Sequence, residues 1–342
     1  MKQKPKVAIT MGDAAGIGPE ITLKALSKKS IYDIANPVVL GDRKVLEQIR
    51  CICNLSLKIN YINEIDEGVY TPGTVDILDY NNIDIKKLKF GVVDSMCGKA
   101  AVEYTIDAGI KALEGKVASM VSAPLNKASM REAGYDYEGQ TQILGELTGS
   151  KNYGMILVLD NLRIMMYSTH MSLRNAIEKI TCEGLLNKII LANEGLKFFD
   201  LQNPTIAVSA LNPHSGEGGL FGNEEINHIE PAIKKAKDLG INVLGPVPAD
   251  TVFFRAKNGE YDLVLALYHD QANMAIKLLG FGEVVTLLVG IPIIRTSTGH
   301  GTAFDIAGKN LADENNMVKA IELASYLGAK KIVKKKITKE KL

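Results

Sequence analysis

VAITMGDAAGIGPEITLKALSK, residues 7–28, reads as a single strand–turn–helix unit. Residues 7–11 are an apolar run of strand length. Residues 12–18 hold three glycines and neither extend the strand nor start a helix. Pro19 suits a first helical turn, where its missing N–H costs nothing, and residues 20–28 continue as helix. The same rhythm recurs downstream. A strand at 38–40 passes through Gly41-Asp42 into a helix ending at Arg50. A helix at 98–114 precedes a strand at 117–121. Strands at 154–159 and 162–167 flank Asp160-Asn161 as a hairpin. Helices at 183–197, 224–238, 271–279 and 313–327 alternate with strands at 205–211, 241–245, 263–268 and 284–289. Such alternation predicts α/β architecture, a mostly parallel sheet covered by helices on both faces. Segment 51–96 breaks the rhythm and is expected to hold antiparallel strands.

The bulk numbers exclude several classes. The chain has 342 residues, of which 46% are apolar and 23% charged, with a net charge of +1. That balance supports a large core and about two domains. It provides no basic field for nucleic acid and no global pull to a membrane. The four cysteines lack metal-ribbon spacing, and a reducing cytoplasm is the expected compartment. The apolar run after the basic start is too short for a signal peptide, and no stretch reaches the roughly 18 residues that span a bilayer. The lysine-rich end, 330–341, reads as a solvated helix face rather than a binding patch.

Three of the five histidines follow apolar runs directly and stand among small or polar residues: His170 in Ser-Thr-His, His214 in Asn-Pro-His-Ser-Gly-Glu-Gly-Gly, and His269 in Tyr-His-Asp-Gln. Ligands of open α/β sheets gather at the carboxyl ends of strands. Three neutral imidazoles suit a divalent metal and leave positions open for substrate. The trio is therefore expected to share one metal, zinc, cobalt, magnesium or a similar ion, with Asn212 and Glu217 orienting it. Glu224 and Glu225 read as structural acids at a helix start, and His228 as a surface or packing residue.

The run 296–309, Thr-Ser-Thr-Gly-His-Gly-Thr-Ala-Phe-Asp-Ile-Ala-Gly-Lys, is rich in glycine and hydroxyls yet follows a buried strand. Such a loop can wrap a nucleotide, so His300, Gly301, Thr302 and Asp305 are candidate cofactor contacts, against the plainer reading of a tight turn. No GxGxxG follows a strand and no Walker A is present, so a dinucleotide would bind outside the Rossmann manner. Arg295 ends an apolar strand, where a cation needs a partner. A substrate phosphate or carboxylate would serve, and so would a salt bridge to Asp305 or Asp270. Asp250 either orients a cation or substrate hydroxyl or caps a helix starting at Thr251.

With these segments in view, the chain resembles the 4-hydroxythreonine-4-phosphate dehydrogenase family of vitamin B6 synthesis. The likeness runs through residues 12–20, 123–127, 169–170, 212–222, 248–251, 268–271, 294–297 and 300–309. Its last motif is also similar to the nucleotide loop of isocitrate and isopropylmalate dehydrogenases. The resemblance implies a fold of two α/β/α domains with a cleft between them, isocitrate-dehydrogenase-like and not Rossmann. The expected division is residues 1–125 with 300–342 as one domain and 126–299 as the other. It also implies a cytoplasmic homodimer whose subunits share each metal site. The implied reaction oxidises a secondary alcohol β to a carboxylate, with NAD or NADP as acceptor, and the β-keto acid then loses carbon dioxide. By this likeness His170, His214 and His269 hold the metal, and Gln140, Thr141, Lys277, Thr286 and Arg295 meet the phosphorylated substrate. Asp250 and Lys277 are the candidates for general base.

Four departures from the family pattern bear on the substrate. Gln140 stands where the family has histidine, Gln142 where it has glutamate, Thr286 where it has asparagine, and Gly299 where it has an acid. The 4-phosphohydroxy-L-threonine of vitamin B6 synthesis remains the first expectation. The alternative is 4-phospho-D-threonate or erythronate, which lacks an ammonium group and would not need those acids. Acyl-phosphate transferases, which share the broad fold, are the reading from another class.

Overall fold

The protein is described by a computed structural model that covers the backbone of residues 4–340 and the side chains of residues 4–332. The twelve strands among the described residues are β1 (Lys6–Thr10), β2 (Asn36–Gly41), β3 (Lys58–Ile62), β4 (Thr74–Asp79), β5 (Ser119–Ser122), β6 (Gly154–Leu159), β7 (Leu162–Met166), β8 (Ile206–Ser209), β9 (Val243–Val247), β10 (Leu263–Ala266), β11 (Val285–Val289) and β12 (Arg295–Thr298). The chain divides into two compact units, residues 1–151 with 291–342, and residues 152–290.

In the first unit the strands run β3-β4-β2-β1-β5-β12, and every pairing is parallel. The antiparallel strands expected in 51–96 are therefore corrected: β3 and β4 pair in parallel, Lys58 opposite Thr74 through Ile62 opposite Leu78. The helix Arg43–Ile52 carries the chain from β2 to β3, and residues 63–73, with the 3-10 turn Ile65–Glu67, return it from β3 to the start of the parallel partner β4. Its N-cap is Asp42, whose carboxylate accepts from the Lys44 and Val45 N–H groups. Ile9, Val39, Ile77 and Met120 are fully buried along the sheet, the continuous apolar reading of a strand covered on both faces. The opening unit is borne out as β1 followed by the helix Gly18–Leu26 with Pro19 in its first turn.

The second unit orders its strands β11-β6-β7-β10-β8-β9. β6 and β7 form the expected antiparallel hairpin, with Asp160 left-handed at its turn. β7, β10, β8 and β9 are parallel neighbours. The helix read at 224–238 begins with a π turn, Glu225–Ile229, before Glu230–Asp238. The helix read at 313–327 runs on as Asn315–Glu340. Its side chains past residue 332 lie outside the described residues, so the solvated lysine face is only partly in view.

The unit boundaries fall at 151/152 and 290/291, not at the expected 125/126 and 299/300. Segment 126–147 belongs to the first unit because Met130 and Ile143 bury themselves against Val102 of the helix Ser95–Leu113. Gly98 lets that contact close, since a Cβ there would lie 2.0 Å from the Ser129 carbonyl oxygen. β12 belongs with it too, because Arg295–Ser297 pairs with Met120–Ser122.

Candidate functional site

The parallel order β7-β10-β8 brings the strands that precede the three histidines to one sheet edge. Gln271 clips that edge: its Oε1 accepts from the Leu267 N–H at 2.7 Å, and its Nε2 donates to the Ala210 carbonyl at 2.9 Å. Ser168 Oγ donates to the Leu267 carbonyl at 2.9 Å. The His170 and His269 rings consequently lie 5.7 Å apart between centroids. His269 opens the helix His269–Gly280, and its Nδ1 sits 3.1 Å from Asp270 Oδ1.

His214 does not join them. Among the described residues no three His, Cys, Asp or Glu side chains converge to hold a metal, so a single chain does not assemble the expected trio. His214 stands in the loop after β8. From His214 to Gly218 every residue has positive φ, between 41° and 79°, a left-handed turn that is costly for residues with a Cβ. The turn is held from behind. Glu225 Oε1 accepts the Leu211 and Asn212 N–H groups at 2.9 and 2.8 Å, and Asn212 Nδ2 donates to Glu224 and Glu225 at 2.7 and 2.8 Å. These bonds hold the buried Glu225 carboxyl below the usual carboxylate range against its desolvation. The structural reading of Glu224 and Glu225 is borne out. Of the two residues expected to orient His214, Glu217 does so, with Oε1 3.0 Å from His214 Nδ1, whereas Asn212 anchors the loop instead.

In the first unit Arg295 is 4% exposed. Its Nε donates to Ser122 Oγ at 3.0 Å and its terminal nitrogen to Gln140 Oε1 at 3.3 Å. Gln140 is pinned in turn, its Nε2 donating to the Ala123 carbonyl at 2.9 Å. No carboxylate among the described residues pairs with Arg295, so of its two readings the salt bridge to Asp305 or Asp270 is not formed. Desolvation pulls the guanidinium pKa down to about 10, and it stays charged at neutral pH. A buried cation without a counter-ion is costly unless an anion arrives. Ser122 and Gln140 occupy the side-on edge of the guanidinium, which leaves its end-on N–H groups for an oxyanion. Thr141 follows Gln140 in the first turn of the helix Gln140–Leu147. Gln142 turns away: it accepts from the Glu138 N–H and donates to Glu146. Its exchange for the family's glutamate is thereby absorbed within its own helix.

The loop after β12 carries His300, Gly301, Thr302 and Asp305. Gly299 N–H donates to Asn316 Oδ1 at 2.8 Å, and His300 Nδ1 lies 2.9 Å from the Gly301 carbonyl. Thr302 is buried, and its carbonyl accepts the Ile17 N–H at 3.0 Å. Asp305 is exposed, and its backbone carbonyl accepts from Lys309. In the second unit Lys277 stands on the exposed face of the helix His269–Gly280, and Thr286 is buried on β11. Of the two readings of Asp250, the helix cap is not formed. The helix begins at Ala249 with Pro248 before it, so Asp250 lies exposed in its first turn.

Sequence reasoning missed Ser122, Gln271 and Asp13. Ser122 ends β5, Asp13 stands three residues past β1 and Gln271 five past β10, so all three lie at or just beyond a strand's carboxyl end, the signal that picked out the histidines.

Comparison with known proteins agrees with this geometry. Residues 33–324 match the family described as pyridoxal phosphate biosynthetic protein PdxA. A candidate D-threonate 4-phosphate dehydrogenase of Fusobacterium nucleatum is 44% identical over 322 residues, covering 94% of this chain and 97% of that one. A candidate of the same name from Clostridium botulinum is 43% identical over 330 residues, covering 96% and 99%. The crystal structure of 4-hydroxythreonine-4-phosphate dehydrogenase from Klebsiella pneumoniae superposes with a TM-score of 0.90 at 38% identity, covering 96% of this chain and 99% of that one. This chain belongs to the 4-hydroxythreonine-4-phosphate dehydrogenase (PdxA) family and is an NAD(P)-dependent oxidoreductase that works by oxidative decarboxylation of a phosphorylated small molecule.

Proposed function

We propose that the substrate is D-threonate 4-phosphate. Hydride passes from its C3–H to NAD(P), the C3 hydroxyl loses its proton, and the 3-keto acid releases its carboxylate as carbon dioxide to leave dihydroxyacetone phosphate. The observation that carries this reading is Arg295, a buried cation whose side-chain hydrogen-bond partners among the described residues are the neutral Ser122 and Gln140, with no acid beside it to meet a substrate ammonium group. An anionic group of the substrate completes it, and position 299, where the family has an acid, is a glycine. The names of the 43–44% identical relatives point the same way. The second reading, 4-phosphohydroxy-L-threonine going to 3-amino-2-oxopropyl phosphate, is favoured by the likeness to the Klebsiella structure. Likeness at this level over nearly the full length is to dehydrogenases, which leaves acyl-phosphate transfer without support.

Lys277, Thr286 and Thr141 are assigned with Arg295 and Gln140 to substrate binding, and Asp250 or Lys277 to proton removal. His300, Gly301, Thr302 and Asp305 are assigned to the dinucleotide, within an isocitrate-dehydrogenase-like rather than Rossmann fold. His170, His214 and His269 would hold one divalent cation. The donor set fits: His214 and His269 each have Nδ1 beside a carboxylate, the usual support that frees Nε2 for a metal. Bound there, the ion would supply Lewis-acid polarisation of the alcohol oxygen and of the enolate left by decarboxylation.

Because one chain joins only two of the three histidines, the third is assigned to a second copy in a homodimer. Met274, Leu278 and Phe281, exposed by 72, 89 and 87%, form an apolar strip beside Lys277 that a second copy would cover. Among the described residues no helix is long and apolar enough to cross a membrane, and we assign the enzyme to the cytoplasm.

The test is reduction of NAD and NADP by metal-loaded enzyme with each substrate. The expected result is a kcat/KM at least about tenfold higher for D-threonate 4-phosphate. The reverse preference would return the enzyme to vitamin B6 synthesis.

A further inference from the structure

Asp13 is a fully buried acid that the reaction as described does not use. It follows β1, and its carboxyl group folds the next four residues into a tight turn. Oδ1 accepts the Ala15 N–H at 2.9 Å, and its backbone carbonyl accepts the Gly16 N–H at 3.0 Å. Its own N–H donates to the Pro124 carbonyl at 2.9 Å, fixing the turn to the end of β5. Among the described residues Oδ2 has no hydrogen-bond partner.

The outer side of this turn lies against the loop assigned to the dinucleotide. Ile17 N–H donates to the Thr302 carbonyl at 3.0 Å. Gly16 packs so closely that a Cβ there would come within 2.9 Å of Thr302 Cβ. The Ala15 carbonyl accepts the Gly91 N–H at 2.8 Å, and Gly91 leaves room for the Phe304 carbonyl, which a Cβ would approach to 2.5 Å. The far end of the loop is tied to the same helix: Glu20 Oε1 accepts the Ala312 N–H at 2.9 Å, and Lys24 Nζ donates to the Ala312 carbonyl at 2.8 Å. Residues 302 and 312 are thus both hung on the strand–turn–helix unit that Asp13 shapes.

We propose that Asp13 is a positioning residue for dinucleotide binding, setting through the turn 13–17 where Thr302 and its loop stand. The proposal rests on the assignment of residues 300–305 to the cofactor. The carboxyl group itself is walled off, so it acts only through the backbone of its turn. Asparagine, which retains the acceptor oxygen, should replace it, whereas alanine should not.

The experiment titrates NADH by its own fluorescence, in a protein that has no tryptophan to interfere, and measures KM and kcat for NAD(P) and for substrate. Asp13→Ala is expected to weaken dinucleotide binding and raise its KM about tenfold, with kcat and the substrate KM changed less than about threefold. Asp13→Asn should restore wild-type values. Gly16→Ala, which presses on Thr302 directly, should repeat the alanine phenotype and carries the test if Asp13→Ala does not fold. His300→Ala and Asp305→Ala serve as controls on the loop. If they leave NADH affinity unchanged, the cofactor assignment fails. If they weaken it while neither Asp13→Ala nor Gly16→Ala does, or if asparagine behaves as alanine does, the positioning role is overturned.

Discussion

The two units handle their charged groups in opposite ways. The first hides them: Arg295 and Asp13 are buried, and each is gripped by neutral neighbours of its own unit. The second displays them: His214 and Lys277 are exposed and His269 is half-buried, with Glu217 and Asp270 beside the two imidazoles. A buried group has met its desolvation cost on folding and stands ready in a single chain. An exposed group keeps its water until a metal or a second chain removes it. On the proposed reading, the anion anchor is complete in one chain, while the metal site awaits a second.

The sharpest way to break this contrast is Arg295→Ala. If the anchor is preformed, kcat/KM should fall roughly 10²- to 10³-fold, the cost of removing one partner of a buried charged pair, and steady-state kinetics would show it with both candidate substrates. A loss under fivefold would mean that the anion binds elsewhere.

Asp13 gives the next effect, in stability. Burial, the largest cause, drives its pKa up from 3.8 to about 6, with Asp94 adding to the rise and the Ala15 N–H and Ser129 opposing it; Cys97 is the other titratable group at hand. A raised carboxyl pKa favours the protonated folded state, a contribution complete below 3.8 and lost as pH rises through about 6. Asp13→Asn lacks that loss. Its stability relative to wild type should grow between pH 4 and pH 8 by up to about 3 kcal/mol, read from urea unfolding at each pH. A constant difference would show that Asp13 ionises as it does in the unfolded chain.

The smallest effect belongs to the exposed side. Glu217→Gln should lower metal affinity by about 10- to 100-fold, the usual cost of losing a carboxylate behind a ligating histidine, while the melting temperature of the metal-free protein changes little. Calorimetric titration with zinc or cobalt reads the first quantity and thermal unfolding the second. Unchanged affinity would remove His214 from the ligand set.

Much of this was legible in the sequence. Strand length, glycine turns and helix starts identified the βα units because periodicity and capping are local properties. The strand-end histidines stood out because small polar residues after an apolar run are conspicuous. The likeness of residues 300–309 and 212–222 to known motifs fixed the family. Pairing direction in 51–96 was not legible, since a strand's own residues do not say which edge it meets. Nor was the place of segment 126–147, decided by the close approach at Gly98. The sequence by itself determined the elements, the family and the residue types of the chemistry, all of which rest on neighbours along the chain. Only the tertiary structure decided that Arg295 faces Ser122 and Gln140 rather than an acid, that Gln142 folds back on its own helix, and that His214 stands apart from His170 and His269. Those outcomes depend on which distant backbones approach closely enough to exclude water, a property of packing that no local pattern encodes.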